Sequence, residues 1–356
     1  MPLVIDGGRV PPRWGELRSS HSVVPIDSYG AKAECIRVAL INNMPDAALE
    51  DTELQFFELL DSASGDHLVL LRLYSLTGVP RTDRGMPHLN KFYFDIDDLW
   101  SNHFDALIMT GTEPRQPNLR EEPYWRPLVN VLEWAERNTV STILSCLAAH
   151  AGALHSDGIE RHRLSDKQFG VFEFKSITNH PLTEGVGGMV RFPHSRWNEV
   201  RAEDLTSCGY AVLSNSTDAG VDTFVKRKNK SLFVHFQGHP EYTETTLLKE
   251  YRRDVRRFLR RERDTYPSLP YGYFDAAATE VLCAFRDRAL KEPTEEVMEA
   301  FPDAALGNLQ RTWRSSAFSI YRNWLGYVKS SKEKVRTFPA VANLYPSRDR
   351  KRSAMP

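Results

Sequence analysis

The sequence predicts an α/β fold, a mostly parallel sheet with helices on both faces and an antiparallel extension. Three observations predict it. Short apolar runs that read as buried strands alternate four times with stretches of helical composition or periodicity between Ile36 and Gly152, the pattern of strand–helix–strand units. From Phe169 the runs become shorter and are separated by Asn, Gly and Ser turns, as antiparallel pairing requires. The strand Leu232, Val234, Phe236 then leads back into a long amphipathic helix. In such a fold ligands gather at the carboxyl ends of the strands.

Residues 1–34 carry prolines, glycines and few periodic apolar positions, so they read as an arm packing on a domain. Ile36 to Ile41 is the first buried strand, ending in Asn42-Asn43-Met44-Pro45, and Leu49, Phe56, Phe57 and Leu60 form a helical stripe after it. His67 to Tyr74 is the second strand. A loop rich in Pro, Arg and Gly leads to Phe92 through Trp100, and Asp105 to Met109 is the third strand, ending at Thr110-Gly111-Thr112. Tyr124 to Arg137 is the next helix, before the strand Val140 to Leu144. The segments F-G-V-F-E-F, M-V-R-F, Y-A-V-L and D-T-F-V-K are the antiparallel strands. A helix over Thr243 to Arg261 turns Leu247, Leu248, Tyr251, Val255, Phe258 and Leu259 inward and a basic face outward. Residues 276–305 have helical composition, and an aromatic helix with Trp313, Phe318, Tyr321, Trp324 and Tyr327 closes the fold. The domain therefore spans 35–329, and 330–356 read as a polar tail expected to be disordered.

With 356 residues, 41% of them hydrophobic, the chain can bury a sizeable core. A formal net charge of -1 favours neither nucleic acid nor a membrane surface as partner. The four cysteines, Cys35, Cys146, Cys208 and Cys283, are too scattered for a disulfide framework or paired zinc ligands. A reducing cytoplasm is the expected location, and no metal site is expected. The first residues, M-P-L-V-I-D-G-G, show no basic region followed by an apolar core, so no leader is expected, and no apolar run reaches membrane-spanning length.

The stretch V-S-T-I-L-S-C-L-A-A-H-A-G, Val140 to Gly152, runs a buried strand into Ser145 and Cys146, after which small helix formers take over. A side chain at such a strand-to-helix turn stands clear of both elements, and the helix N-terminus can favour a thiolate and stabilise an oxyanion. Most free cysteines are small core residues instead; a nucleophile needs a histidine elsewhere. Ser231 to Tyr242 supplies one. Gly238 breaks that strand before His239-Pro240-Glu241; with Pro240 fixing the backbone, Glu241 can accept from one imidazole nitrogen and leave the other facing the thiol.

With these residues in place the chain resembles the homoserine O-succinyltransferase family. The resemblance includes I-N-N-M-P at 41–45, V-S-T before the nucleophile, F-G-V-F-E at 169–173, P-H-S-R at 193–196 and G-H-P-E-Y at 238–242. It continues through E-Y-R-R-D at 250–254, P-Y-G-Y-F at 270–274, W-R-S at Trp313 and N-W-L at Asn323, spanning about 36 to 328. It implies a flavodoxin-like, class I glutamine amidotransferase-like fold, and a ping-pong reaction in methionine biosynthesis. In the reaction so implied, Cys146 would take an acyl group from an acyl-CoA and hand it to an amino acid hydroxyl, with His239 as proton shuttle and Glu241 orienting it. By family position Lys167, Ser195 and Arg253 contact substrate, with Glu250 a further candidate for the substrate ammonium. No cofactor is implied, the acyl-CoA being a substrate, and the family's members tend to be homodimers. Coenzyme A could also use one or two arginines of the basic helix face.

The chain departs from the family pattern in places. Asp46 and Ala47 stand where a lysine is common, Leu147 and His150 where Trp and Gln are usual, the 276–305 segment is longer than expected, and the acyl-selecting loop reads Thr110-Gly111-Thr112-Glu113-Pro114-Arg115. Arg115 at the selecting position would pair with the free carboxylate of a succinyl group, so succinyl-CoA is the expected donor, with acetyl-CoA the alternative. The acceptor is homoserine or serine, which differ by one methylene. Two other functions use the same residues. A glutaminase would need an elbow that Ser145, Ala148 and His150 do not match; a catalytically silent amino acid or acyl-CoA binder would have no use for the Cys-His-Glu set.

Overall fold

The computed structural model describes residues 3–15, 35–303, 309 and 311–337. The chain begins with β1 (Leu3–Ile5), β2 (Cys35–Ile41), α1 (Leu49–Ser64), β3 (Leu68–Tyr74), α2 (Met86–Phe92), α3 (Ile96–Ser101), β4 (Ala106–Met109), α4 (Trp125–Asn138), β5 (Ser141–Ser145) and α5 (Leu147–Asp157). There follow β6 (His162–Ser176), β7 (Met189–Glu199), α6 (Ala202–Ser207), β8 (Ala211–Val212), β9 (Ser214–Ser216), β10 (Gly220–Val221), β11 (Thr223–Lys228) and β12 (Ser231–Phe236). The last helices are α7 (Thr246–Leu259), α8 (Ala276–Lys291) and α9 (Arg314–Thr337).

Among the described residues the main sheet has eight strands in the order β1-β3-β2-β4-β5-β12-β11-β8. The first six are parallel. Successive residues of its central strands belong to two different cores: Val38, Leu40, Ala106, Ile108 and Ile143 pack on one side, and Ala39, Ile41, Leu107, Met109 and Leu144 on the other. Both faces of the sheet are covered, which is why these strands read as unbroken apolar runs.

The antiparallel strands differ in part from the sequence expectation. Only β11 and β8 extend the main sheet; β6, β7, β9 and β10 form a separate four-stranded sheet in the order β10-β9-β6-β7. β6 and β7 pair over most of their length, with a register shift between Arg163 and Gln168, and Phe172, Phe174, Val190 and Phe192 of this sheet pack into the same core as the main sheet. The arm also does more than pack on the domain. Leu3–Ile5 pairs in parallel with β3 as an edge strand, tied by Arg72 Nε donating to Asp6 at 2.8 Å; residues 16–34 lie outside the described residues. At the other end, α9 continues to Thr337, past the Ser330 expected to open the tail. Lys332 holds it down by bonding Cys35 O at 2.9 Å and the buried Asp105 carboxylate at 2.8 Å. Residues 338–356 lie outside the described residues. The 276–305 segment gives α8 and a short 3-10 turn at Glu295–Ala300, whose Leu282, Phe285, Val297, Met298 and Phe301 build a third core with the inner face of α7.

Because β2, β4, β5 and β12 are parallel neighbours, the loops at their carboxyl ends converge. Hydrogen bonds fix them to one another. Asn43 donates from its amide to Thr110 Oγ1 (2.8 Å) and from its side chain to Thr110 O (3.1 Å), and the Cys146 N–H donates to Phe236 O at 2.8 Å.

Candidate active site

Cys146 follows the last residue of β5 and caps α5 with φ 53° and ψ −114°. A side chain other than glycine rarely adopts that backbone and is strained in it. The turn sets the half-buried Cys146 between the end of β5 and the head of α5, whose first amides have no intrahelical acceptor. Gly111, at the end of β4, reaches the same place: a Cβ there would lie 2.7 Å from Leu147 Cβ and 2.8 Å from Leu147 N. Only a glycine lets the Thr110-Gly111 backbone approach the head of α5 this closely. Residue type alone assigns Gly111 no role, although a glycine directly after a buried strand is a signal of such close approach.

His239 lies opposite, on the turn after β12. Its amide donates to Pro193 O at 2.8 Å, and its Nδ1 lies 2.8 Å from Glu241 Oε1, which also accepts from Ser145 Oγ at 3.1 Å. Burial works against the charged imidazole, but Cys146 and Glu241 outweigh burial and hold its pKa well above the usual value. The expected set Cys146, His239 and Glu241 is therefore brought together. Gly238 permits the turn: a Cβ there would meet His194 Nε2 at 2.6 Å, Asp222 Oδ1 at 2.7 Å and Pro193 O at 2.8 Å.

Lys167 from β6, Ser195 from β7 and Arg253 from α7 also converge, and the point of convergence is Glu250. Its Oε2 accepts from Ser195 Oγ at 2.5 Å and lies 3.6 Å from Lys167 Nζ and 3.5 Å from the Arg253 guanidinium; its Oε1 accepts from the Tyr242 hydroxyl at 2.5 Å. Burial pushes the Glu250 carboxyl up, but Lys167 and Arg253 outweigh it and hold it below its ordinary range. Lys167 is further paired with Asp254 at 2.9 Å. Arg253 bonds Asp254 through Nε at 3.0 Å while 45% of its side chain stays exposed, leaving part of its fork open to a ligand. Tyr242 joins the two halves of the site, its ring stacked on His239 at 4.2 Å between centroids and 15° between planes.

The positions that depart from the family pattern have local structural partners. Asp46 accepts from the Thr82 amide and hydroxyl at 2.8 and 2.7 Å and lies 3.3 Å from Arg81, which also bonds Met44 O at 2.5 Å; together they brace the loop after β2. His150 is fully buried and pairs with Gln237 Oε1 at 2.9 Å, and burial lowers its pKa to about 3, so it is neutral there. Arg115 is exposed, its amide donating to Glu122 at 2.5 Å, while Glu113 of the same loop faces Arg257 of α7 at 3.4 Å.

Fold and site define a class of α/β protein with a cysteine at a strand-to-helix elbow and a paired histidine and glutamate across from it. The chain belongs to the homoserine O-succinyltransferase family, whose model matches residues 17–335, and with that family to the transferases. The homoserine O-succinyltransferase of Rhodopseudomonas palustris is 45% identical, covering 83% of this chain and 89% of that protein. The one from Methylorubrum extorquens is 43% identical over 82% of this chain and 87% of that protein, and the one from Bradyrhizobium japonicum 39% over 92% and 99%. Among solved structures, a glutamine amidotransferase from Thermotoga maritima aligns with a TM-score of 0.43 and 11% identity, over 83% of this chain and 100% of that one.

Proposed function

We propose that this protein transfers the succinyl group of succinyl-CoA to the hydroxyl of L-homoserine, for methionine biosynthesis in the cytoplasm, through a thioester on Cys146. The observation that carries the reading is the strained elbow that presents the Cys146 thiol to an imidazole held charged by Cys146 and Glu241. In the first half-reaction the sulfur attacks the thioester carbonyl while the oxyanion faces the α5 amides; the C–S bond to coenzyme A breaks and His239 protonates the leaving thiolate. In the second, the neutral imidazole takes the proton of the homoserine hydroxyl, whose oxygen displaces the Cys146 sulfur and leaves the ester.

The cluster around Glu250 suits the acceptor. Arg253, its Nε and Nη2 held by Asp254 and Glu250, offers the open Nη1 side of its guanidinium to the amino acid carboxylate and Glu250 a carboxylate to the ammonium, with Lys167 and Ser195 holding Glu250 in place. Arg115 is the proposed determinant of the donor, its exposed guanidinium pairing with the free carboxylate of the succinyl group. The working unit is proposed to be a homodimer, and no cofactor is required, acyl-CoA being a substrate. The test is turnover of the purified protein with succinyl-CoA or acetyl-CoA against homoserine or serine. The reading expects succinyl-CoA with homoserine to be fastest and Arg115→Glu to move preference towards acetyl-CoA. A wild type that uses acetyl-CoA at least as well removes the donor assignment, and one that prefers serine removes the acceptor assignment.

A further inference from the structure

We propose that Tyr242 is a positioning residue that couples the acceptor pocket to the catalytic base, its hydroxyl reading the state of Glu250 and its ring fixing His239. The inference rests on the acyl-transfer reading and adds to it a link between the two halves of the site. Three contacts carry it. The ring is 5% exposed and lies nearly parallel to the imidazole at 4.2 Å. The hydroxyl donates to Glu250 Oε1 at 2.5 Å. The backbone is pinned between His239 O, which accepts from the Tyr242 amide at 3.2 Å, and the fully buried Trp313, whose Nε1 donates to Tyr242 O at 2.9 Å.

A phenol hydrogen-bonded to a carboxylate carries more negative charge on its ring, and a ring face attracts a cation above it. Burial and Glu250 hold the phenol pKa well above its usual value, so the group remains a donor. The other titratable or charged groups facing His239 are Cys146 of the elbow, Glu241 of its own turn and His194 of β7. Behind His194 stand Asp222, 3.1 Å away, and Arg196, whose Nε donates to His194 Nδ1 at 3.1 Å. Burial is the main cause that lowers the His194 pKa to about 4, so it adds no positive charge at neutral pH. An amino acid ammonium arriving at Glu250 competes for the carboxylate that holds the Tyr242 hydroxyl. The ring then gives up part of its extra negative charge, and the imidazolium loses part of its support. Acceptor binding therefore moves His239 towards the neutral form that must take the hydroxyl proton in the second half-reaction.

The experiment compares wild type with Tyr242→Phe, which keeps the stack and removes only the hydroxyl. Single-turnover acylation by succinyl-CoA and discharge by L-homoserine are measured separately. The pH midpoint of Cys146 alkylation by iodoacetamide is measured with and without L-homoserine, a readout that needs no acyl transfer. The expected result is a ratio of discharge to acylation about tenfold higher in the variant, whose ring lacks the extra negative charge and leaves His239 nearer its neutral form, an effect on the scale of one charge-assisted hydrogen bond. L-homoserine should also raise the alkylation midpoint in wild type and leave that of the variant in place. A ratio less than twofold above that of wild type, or a variant midpoint that still responds to L-homoserine, overturns the coupling. If wild type forms no acyl-enzyme at all, the acyl-transfer reading fails instead, and the alkylation result still decides whether Tyr242 joins the two pockets.

Discussion

Replacing Cys146 by glycine and, separately, by alanine separates the chemistry of the elbow from its strain. At φ 53° and ψ −114° a residue with a Cβ is held in a sparsely populated conformation, a cost of about 1–3 kcal/mol. Alanine keeps the Cβ and the strain; glycine relieves it. Elsewhere in a protein glycine is less stable than alanine by about 0.5–1 kcal/mol because its unfolded chain is freer. Setting one against the other, Cys146→Gly should be at least as stable as Cys146→Ala, by up to roughly 2.5 kcal/mol. The thiol is only half-buried, so loss of its packing is a small correction common to both variants. Urea unfolding of the two variants, referred to wild type, measures the difference, and turnover with succinyl-CoA and homoserine should be absent from both. If the glycine variant is the less stable of the two, the elbow is not strained. If either keeps turnover above a trace, Cys146 is not the nucleophile.

Arg253→Lys should lower kcat/KM for homoserine by roughly 10–100-fold, the worth of one hydrogen bond to a charged group, and leave acylation by succinyl-CoA far less affected; failure at acylation instead would put Arg253 on the coenzyme A side. Gly238→Ala places a methyl 2.6–2.8 Å from His194, Asp222 and Pro193 O, so it should cost about 1–3 kcal/mol by overpacking and, by shifting His239, reduce turnover by up to about a hundredfold. Wild-type activity in that variant would show that the turn does not set the imidazole. His88 packs on the buried Glu53 carboxylate at 2.7 Å; burial lowers its pKa, but Glu53 outweighs burial and the net shift is upward from 6.5. A folded pKa above the unfolded one gives stability that is complete below pH 6.5 and lost as pH rises through the folded value. The melting temperature of wild type should accordingly exceed that of His88→Gln at pH 6, with the gap narrowing at pH 9, and a gap independent of pH would refute the ion pair.

The parts of the site that were legible in the sequence are those whose chemistry is local. A buried strand ending at Cys146, and Gly238 breaking a strand before His239-Pro240-Glu241, each announce a turn by residue type alone. The central strands were legible because cover on both faces leaves an unbroken apolar run. What was not legible depends on long-range pairing. Leu3–Ile5 is too short to read as a strand until β3 is beside it, and nothing in the runs from Phe169 onward distinguishes pairing with β12 from pairing with β7. The role of Glu250 as a hub depends on Ser195, 55 positions away, and that of Tyr242 on a ring stack that residue spacing does not encode. The last helix outran its expected end because the Lys332 pairing with Asp105 joins residues 227 apart.

The central claim is that acyl transfer passes through Cys146, and intact-protein and peptide mass spectrometry after mixing with succinyl-CoA in the absence of homoserine tests it most directly. The account predicts a succinyl thioester on Cys146 that disappears, with release of O-succinylhomoserine, when L-homoserine is added, and that Cys146→Ala never acquires. Formation of O-succinylhomoserine by a protein that never carries the adduct would contradict it.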